Sequence, residues 1–190
     1  MSSPLKLYLA GPEVFLPDAR AVLDEKAAMT RAYGFEPICP GDLVIPPAPT
    51  KHQFGLNISE IDESFMNRAD GVIANLTPFR SIAADPGTVF ELGYMCGAGK
   101  IVSAYTNVTE THFDRTLAWY DGKLTRDADG RMRGSDGHSL EDFEMIENLM
   151  LHGGVVRRGG HIAIHKASPD RLYHDLTAFE ECLKVLAEKG

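Results

Sequence analysis

Short apolar runs alternate with longer amphipathic stretches along the first 105 residues. Leu5-Lys6-Leu7-Tyr8-Leu9-Ala10 is a compact apolar run stopped by Gly11-Pro12, which predicts a buried strand and then a turn. From Pro17 to Tyr33, apolar residues Ala19, Val22, Leu23 and Ala27 recur at helical spacing. Asp18 stands near the start and Gly34 just past the end, so a helix is expected there. Phe35 to Cys39 reads as a second strand. The stretch from Pro40 to Gly55 is rich in proline (Pro40, Pro46, Pro47, Pro49) and is expected as a surface loop. Helical spacing returns from Asn57 to Ala69 through Ile58, Ile61, Phe65 and Met66. Gly71 to Leu76 is almost wholly apolar, as a strand covered on both faces must be. Thr77 to Ala84 reads as a loop. Asp85-Pro86-Gly87 opens a helix, since Asp is a good N-cap and Pro suits the first helical position. That helix should run to about Ala98, where Gly97 and Gly99 stop it, and Ile101 to Tyr105 is a fourth strand.

Strand, helix, strand, helix, strand, helix, strand argues for an α/β fold: a doubly wound parallel sheet with helices on both faces and right-handed crossovers. Such a sheet places a ligand crevice at the carboxyl ends of its strands. Asn107 to Ser139 breaks the rhythm with a polar, Gly-rich composition and is expected as a long loop insertion. Leu140 to Leu151 reads as helical. Pro169 to Lys189 reads as an amphipathic C-terminal helix, with Leu172, Leu176, Phe179, Leu183 and Leu186 at core spacing. With 190 residues and neither a repeat nor a linker, residues 1–190 are expected to form a single domain.

Charge narrows the partners. Nineteen basic against 27 acidic residues leave a net charge of −8. Nucleic-acid binding needs a basic face, so the chain is a poor candidate for it, and a small-molecule partner fits better. No apolar run approaches the roughly 20 residues that span a bilayer. The first ten residues look like a strand rather than a secretory signal. Cys39, Cys96 and Cys182 are odd in number, match no zinc or C-x-x-C spacing, and are expected as buried free thiols in a reducing, cytoplasmic setting.

The chemistry concentrates between Asp85 and Gly99. From Pro86 to Gly99 the only charged residue is Glu91. A lone carboxylate in an apolar helix either projects to solvent or faces the crevice, where partial desolvation makes it a better nucleophile or base. Gly93 and Gly97, one turn apart, are expected to pack helix against sheet. A second set of carboxylates, Asp62, Asp70 and Asp85, is expected at the same sheet edge, although Asp62 beside Glu63 would ordinarily be solvated. Asp70 is most simply a turn residue, and Asp85 an N-cap. Tyr8, near the carboxyl end of its strand, has a hydroxyl that could orient a carboxylate. Two carboxylates in unlike environments suit glycosidic cleavage, where one attacks or stabilises the anomeric carbon and the other protonates the leaving group. Neither the G-x-G-x-x-G fingerprint nor a P-loop is present. His161 and His165 flank an extended Ile-Ala-Ile stretch, too far apart along a strand for a metal pair, so no metal is expected.

Taken in order, Leu7-Tyr8-Leu9-Ala10-Gly11-Pro12, Asp62 eight residues before Asp70-Gly-Val-Ile-Ala, Asp85-x5-Glu91-Leu-Gly-Tyr, and Asn148-Leu149-Met150 resemble the nucleoside 2-deoxyribosyltransferase family. The resemblance covers the first 105 residues and the Asn148–Met150 segment. It implies a flavodoxin-like fold and no cofactor. It implies Glu91 as the nucleophile of a covalent, retaining transfer, held by Tyr8, with Asp62 protonating the departing base. Asp85 would bind the sugar 5′-hydroxyl, with Asn148 and Met150 supplied by a neighbouring subunit and Gly11 also in substrate binding. The partners implied are 2-deoxynucleosides, free nucleobases and a second copy of the chain, in a homo-oligomer whose site is shared. The insertion at 107–139 and the terminal helix depart from shorter members, and the Pro40–Gly55 loop falls in the base-recognition region.

Two other readings compete. An N-hydrolase of 2-deoxynucleoside 5′-monophosphates would use the same Tyr, Asp and Glu set, but Asp85 would repel its phosphate. Gly87-Thr88-x-x-Glu91 is also similar in part to the P-G-G-x-G-T-x-x-E motif of cytokinin-activating phosphoribohydrolases, lacking its first glycine. A non-catalytic nucleotide-binding module is the other, since doubly wound folds host many functions.

Overall fold

The computed structural model describes residues 3–42 and 44–189. Five parallel strands form one sheet in the order β2-β1-β3-β4-β7. They are β1 (Lys6–Ala10), β2 (Glu36–Ile38), β3 (Gly71–Asn75), β4 (Ile101–Thr106) and β7 (Ile162–Ile164). Tyr8 stands opposite Ile38 on one side and Val72 on the other. This is the flavodoxin-like arrangement, and its switch in strand order falls between β1 and β3. The fifth strand comes from the Ile-Ala-Ile stretch between His161 and His165, pairing with β4.

Alternation along the strands sorts the core into two layers. Tyr8, Ala10, Val72, Ala74, Val102 and Ala104 point to one face. There they meet Phe65 and Met66 of α2 (Lys51–Arg68), Leu92 and Met95 of α3 (Pro86–Gly97), and Val155 of α5 (Leu149–Val156). Leu7, Leu9, Ile73 and Tyr105 point the other way, toward Ala27 of α1 (Ala19–Ala32) and Phe179, Cys182 and Leu183 of α6 (Thr177–Lys189). Each fully buried Leu, Phe or Met contributes roughly 1.5–3 kcal/mol.

Several expectations need correction. The proline-rich loop ends at Thr50, whose hydroxyl accepts from Gln53 N and caps α2 six residues before Asn57. All four prolines precede that cap. Residues 107–139 are not one long loop. They hold α4 (His112–Trp119) and a hairpin of β5 (Thr125–Arg126) and β6 (Met132–Arg133). The helix start is signalled by a reciprocal cap between Thr111 and Asp114. Leu140–Leu151 is not a helix up to Asn148. Leu140 N donates to Met132 O and His112 N to Met145 O, tying the segment to its neighbours instead. The C-terminal helix begins at Thr177; Pro169–Arg171 is a separate single turn. Gly93 and Gly97 are exposed, and a Cβ on either would meet nothing within 4 Å, so they do not pack helix on sheet. Leu92 and Met95 make that contact. Cys39 and Cys182 are buried free thiols, while Cys96 is only half-buried. Among the described residues no helix is long and apolar enough to cross a membrane.

Candidate active site

A cleft of about 300 Å³ opens at the carboxyl ends of β1 and β3, where the strand order switches. Gly11, just past β1, forms part of its floor. A Cβ at Gly11 would lie 1.9 Å from Glu13 Oε2, so glycine is required there by packing and not by its extended backbone. The first turns of α3 supply Asp85, Gly87, Thr88 and Glu91, and α2 supplies Ile58, Ile61 and Asp62 across the cleft. Val14, Phe15 and Ile45 complete an apolar wall. Among the described residues three carboxylates and no cationic side chain line the cleft. A second cavity, about 260 Å³, lies at the opposite end of the sheet among Leu5, Leu7 and Ile101, and among the described residues no carboxylate lines it.

Tyr8 is fully buried, and its hydroxyl donates to Glu91 Oε1 at 2.6 Å. Burial, then the nearby Glu91 charge, holds this phenol far above its ordinary pKa, so it remains a donor. Burial also pushes the Glu91 carboxyl up to about 7; the Asp62, Asp85 and Glu13 charges push the same way, and the Tyr8 hydrogen bond opposes them. Burial raises the Asp62 carboxyl as well. The Asp85 side chain accepts from Thr88 N at 3.0 Å and from Thr88 Oγ1 at 3.3 Å, capping α3 while one face remains toward the cleft. A carboxylate with one oxygen held by a phenol, and a second carboxyl raised by burial across the cleft, are groups of the kind that glycosyl transfer uses.

The profile of the nucleoside 2-deoxyribosyltransferase family matches residues 7–150. The chain belongs to that family. A curated relative, an uncharacterized protein of Schizosaccharomyces pombe, is 32% identical over 198 residues, covering 96% of this chain and 89% of its own length. Among solved structures, a 2-desoxiribosyltransferase from Leishmania mexicana superposes with a TM-score of 0.63 at 29% identity, covering 94% of this chain and 98% of that one. A conserved protein from Enterococcus faecalis shares the fold at 15% identity and a TM-score of 0.58, covering 96% of this chain and 99% of its own.

Within this member of the nucleoside 2-deoxyribosyltransferase family, the fold brings Tyr8, Gly11, Asp62, Asp85 and Glu91 to one cleft. Asp70 is not with them. It lies at the opposite end of β3, where its carboxylate accepts from Lys6 N at 2.8 Å. Asn148 and Met150 do not reach this cleft within one protomer. Asn148 caps α5 by accepting from Met150 N, and Met150 is 73% exposed beside Gly153 and Arg157. His161 pairs with Glu181 at 2.7 Å. Among the described residues no group of three or more His, Cys, Asp or Glu is placed to hold a metal ion.

The sequence reading missed Glu13. This fully buried carboxylate accepts from Lys26 Nζ at 2.7 Å, Tyr105 OH at 2.8 Å and Asn75 Nδ2 at 3.1 Å, directly behind Gly11. Lys26, beside it, holds the Glu13 carboxyl below its usual value despite burial. The signal was available: Lys26 falls on the apolar face of α1 next to Ala27, where a solvated lysine would not. Thr88, read from the sequence only within the Gly87-Thr88-x-x-Glu91 likeness, also lines the cleft and donates to Asp85.

Proposed function

We propose that the protein transfers 2-deoxyribose between nucleobases through a covalent ester on Glu91. The observation that carries this is the 2.6 Å Tyr8–Glu91 hydrogen bond within the cleft that Asp62 lines from the other side. Tyr8 engages Oε1, leaving Oε2 to attack C1′ of the sugar. A C1′–O bond forms as the C1′–N bond breaks; its electron pair leaves with the base, which takes a proton from Asp62. An incoming base then gives its proton to Asp62 and attacks C1′ from the face the first base left; the new C1′–N bond forms as the ester C1′–O bond breaks and its electron pair returns to Glu91, so two inversions give net retention. Asp85 accepts from the 5′-hydroxyl, and the apolar wall of Val14, Phe15, Ile45 and Ile58 receives the base. The charged side chains that line the cleft are all carboxylates, which favours an uncharged nucleoside over a 5′-monophosphate.

The site is completed by a second copy. Phe90, 56% exposed on α3, Gly93 and Gly97 leave an apolar strip one helical turn apart, and Met150 stands exposed on the neighbouring α5. A partner covering that strip presents Asn148 to the neighbour's 5′-hydroxyl site. The free thiols suit a reducing, cytoplasmic setting.

Incubation of deoxyinosine or thymidine with a second base should yield the new deoxynucleoside. Mass spectrometry after brief exposure to a 2-fluoro-2-deoxynucleoside should find the sugar on Glu91. Glu91→Ala should abolish both. Base release from a 5′-monophosphate faster than from the nucleoside would favour the hydrolase reading, and binding without turnover the non-catalytic one.

A further inference from the structure

Outside the cleft, one buried side chain joins segments that the site needs and the mechanism does not mention. Arg115 on α4 is only 10% exposed at its side chain. Its Nε donates to Ile82 O at 2.7 Å. One terminal nitrogen donates to Glu110 O at 2.6 Å and Ile146 O at 2.9 Å. The other meets Glu147 Oε2 at 2.8 Å. Glu147 is 1% exposed, and its second oxygen accepts from Asn148 N at 2.8 Å, with His112 Nδ1 3.1 Å away. The guanidinium thus grips the 77–84 loop with one edge and the start of α5 with the other.

Both grips act on short rigid levers. The loop around Ile82 is closed on itself, with Phe79 N donating to Ala83 O and the Ser81 hydroxyl bridging to Ala83. These bonds tie residues 79–83 to one another, so a shift at Ile82 is passed along the loop. Asp85 follows three residues after Ile82 and caps α3. On the other side Asn148 is bonded directly to the Glu147 carboxylate. Only a planar fork of donors can hold three carbonyls and a carboxylate in one geometry; an ammonium is a point charge and cannot.

We infer that Arg115 and Glu147 are positioning residues that set Asp85 and Asn148 together, so that one ionic hub controls sugar 5′-hydroxyl recognition in a protomer's own site and in its neighbour's. The inference rests on the proposed transfer reaction for the meaning of the 5′-hydroxyl, but the coupling itself is a property of the fold.

Two measurements on the full chain test it, with Arg115→Lys and the near-isosteric Glu147→Gln. By hydrogen–deuterium exchange, both variants should speed exchange at least threefold in residues 79–86 and also in 145–151. Faster exchange confined to 145–151 and α4, with 79–86 unchanged, overturns the coupling. In kinetics, kcat/KM should be compared for a 2′-deoxynucleoside and its 2′,5′-dideoxy analogue. The wild type should prefer the substrate bearing the 5′-hydroxyl, and each variant should shrink that preference at least fivefold. Equal slowing on both substrates marks a merely structural role and overturns the inference. A wild type that neither exchanges nor releases bases overturns the proposed function instead, while the exchange measurement still decides the coupling.

Discussion

The first 106 residues and the stretch from Asn107 to Asn148 are built on different principles. In the first, every helix buries an apolar face on the sheet; Phe65, Met66, Leu92 and Met95 are all 3% exposed or less. In the second, α4 buries no apolar residue, and the hairpin strands are two residues each. What orders that stretch is polar: the Thr111–Asp114 cap, the Arg115–Glu147 hub, and Tyr120 laid over Gly134 with its hydroxyl on Asp136. Close packing makes a rigid frame that can keep carboxylates in a desolvated cleft. A hydrogen-bonded attachment can only position what the frame already holds. Substitutions in the first region should therefore change chemistry, and those in the second should change placement or local order.

The largest effect that sharpens this contrast lies at Asp62. Asp62→Asn removes the acid while preserving shape, and base exchange should slow about 10²- to 10⁴-fold, the usual worth of a positioned general acid. The lost negative charge should also lower the Glu91 carboxyl, because Asp62 is among the charges that raise it. The nucleophile would then be more ionised, not less. Steady-state rates on a base that leaves readily as its anion should fall much less than on one that needs a proton. Equal losses on both would remove Asp62 from the proton path.

Tyr8→Phe comes next. The hydroxyl stabilises the ionised form of Glu91, so its loss should move that carboxyl upward from about 7, by roughly one unit. The wild-type rate should rise with pH as Glu91 ionises near neutrality. In the variant the rise should begin later, so the deficit is about tenfold at pH 6 and shrinks toward pH 9. A pH–rate profile with an unmoved acidic limb would contradict the orienting role.

The same contrast explains what could be read from residue order. Four strands, three crossover helices and the site edge follow from periodicity and end signals, because burial on a parallel sheet forces those patterns. Glu91 stands out as the lone charge in an apolar helix and Tyr8 as a hydroxyl in a buried strand, whereas Asp62, on a largely polar helix, and Asp85, a capping residue, are singled out only by the family resemblance. The second region resists such reading. Its order comes from side chains reaching backbone carbonyls 31 to 33 residues away, as Arg115 does, and no local period encodes that. The helix expected over Leu140–Leu151 failed for this reason: apolar spacing was present, but the backbone partners lay in β6 and α4. Asp70 was misplaced although its position before β3 was legible: in a parallel sheet a residue that precedes a strand lies at the amino end, away from the crevice.

A stability measurement breaks the comparison from another side. A glutamate held near 7, against an ordinary 4.5, binds protons more readily folded than unfolded. It therefore costs stability: nothing below about pH 4.5, progressively more up to 7, and a constant amount above. The penalty is on the order of 2 kcal/mol once solvent in the open cleft is allowed for. Glu91→Gln should then raise the melting temperature by several degrees at pH 8 and by little at pH 4.5, while abolishing transfer. Equal melting temperatures at pH 8 would mean that the cleft does not desolvate Glu91.

The smallest effect belongs to the hairpin. A Cβ at Gly134 would sit 2.5 Å from the Tyr120 ring, so Gly134→Ala must push the ring away and strain its hydrogen bond to Asp136. Asp136 is exposed and Tyr120 half-buried, and the hairpin shares no core with the sheet. The cost should be about 1 kcal/mol and local. Limited proteolysis should cut faster between Asp121 and Gly137, while melting temperature moves by less than about 2 °C and exchange activity stays within twofold. A large loss of activity would place the hairpin over the cleft of a neighbouring protomer, and the boundary between frame and attachment would have to be redrawn to include it.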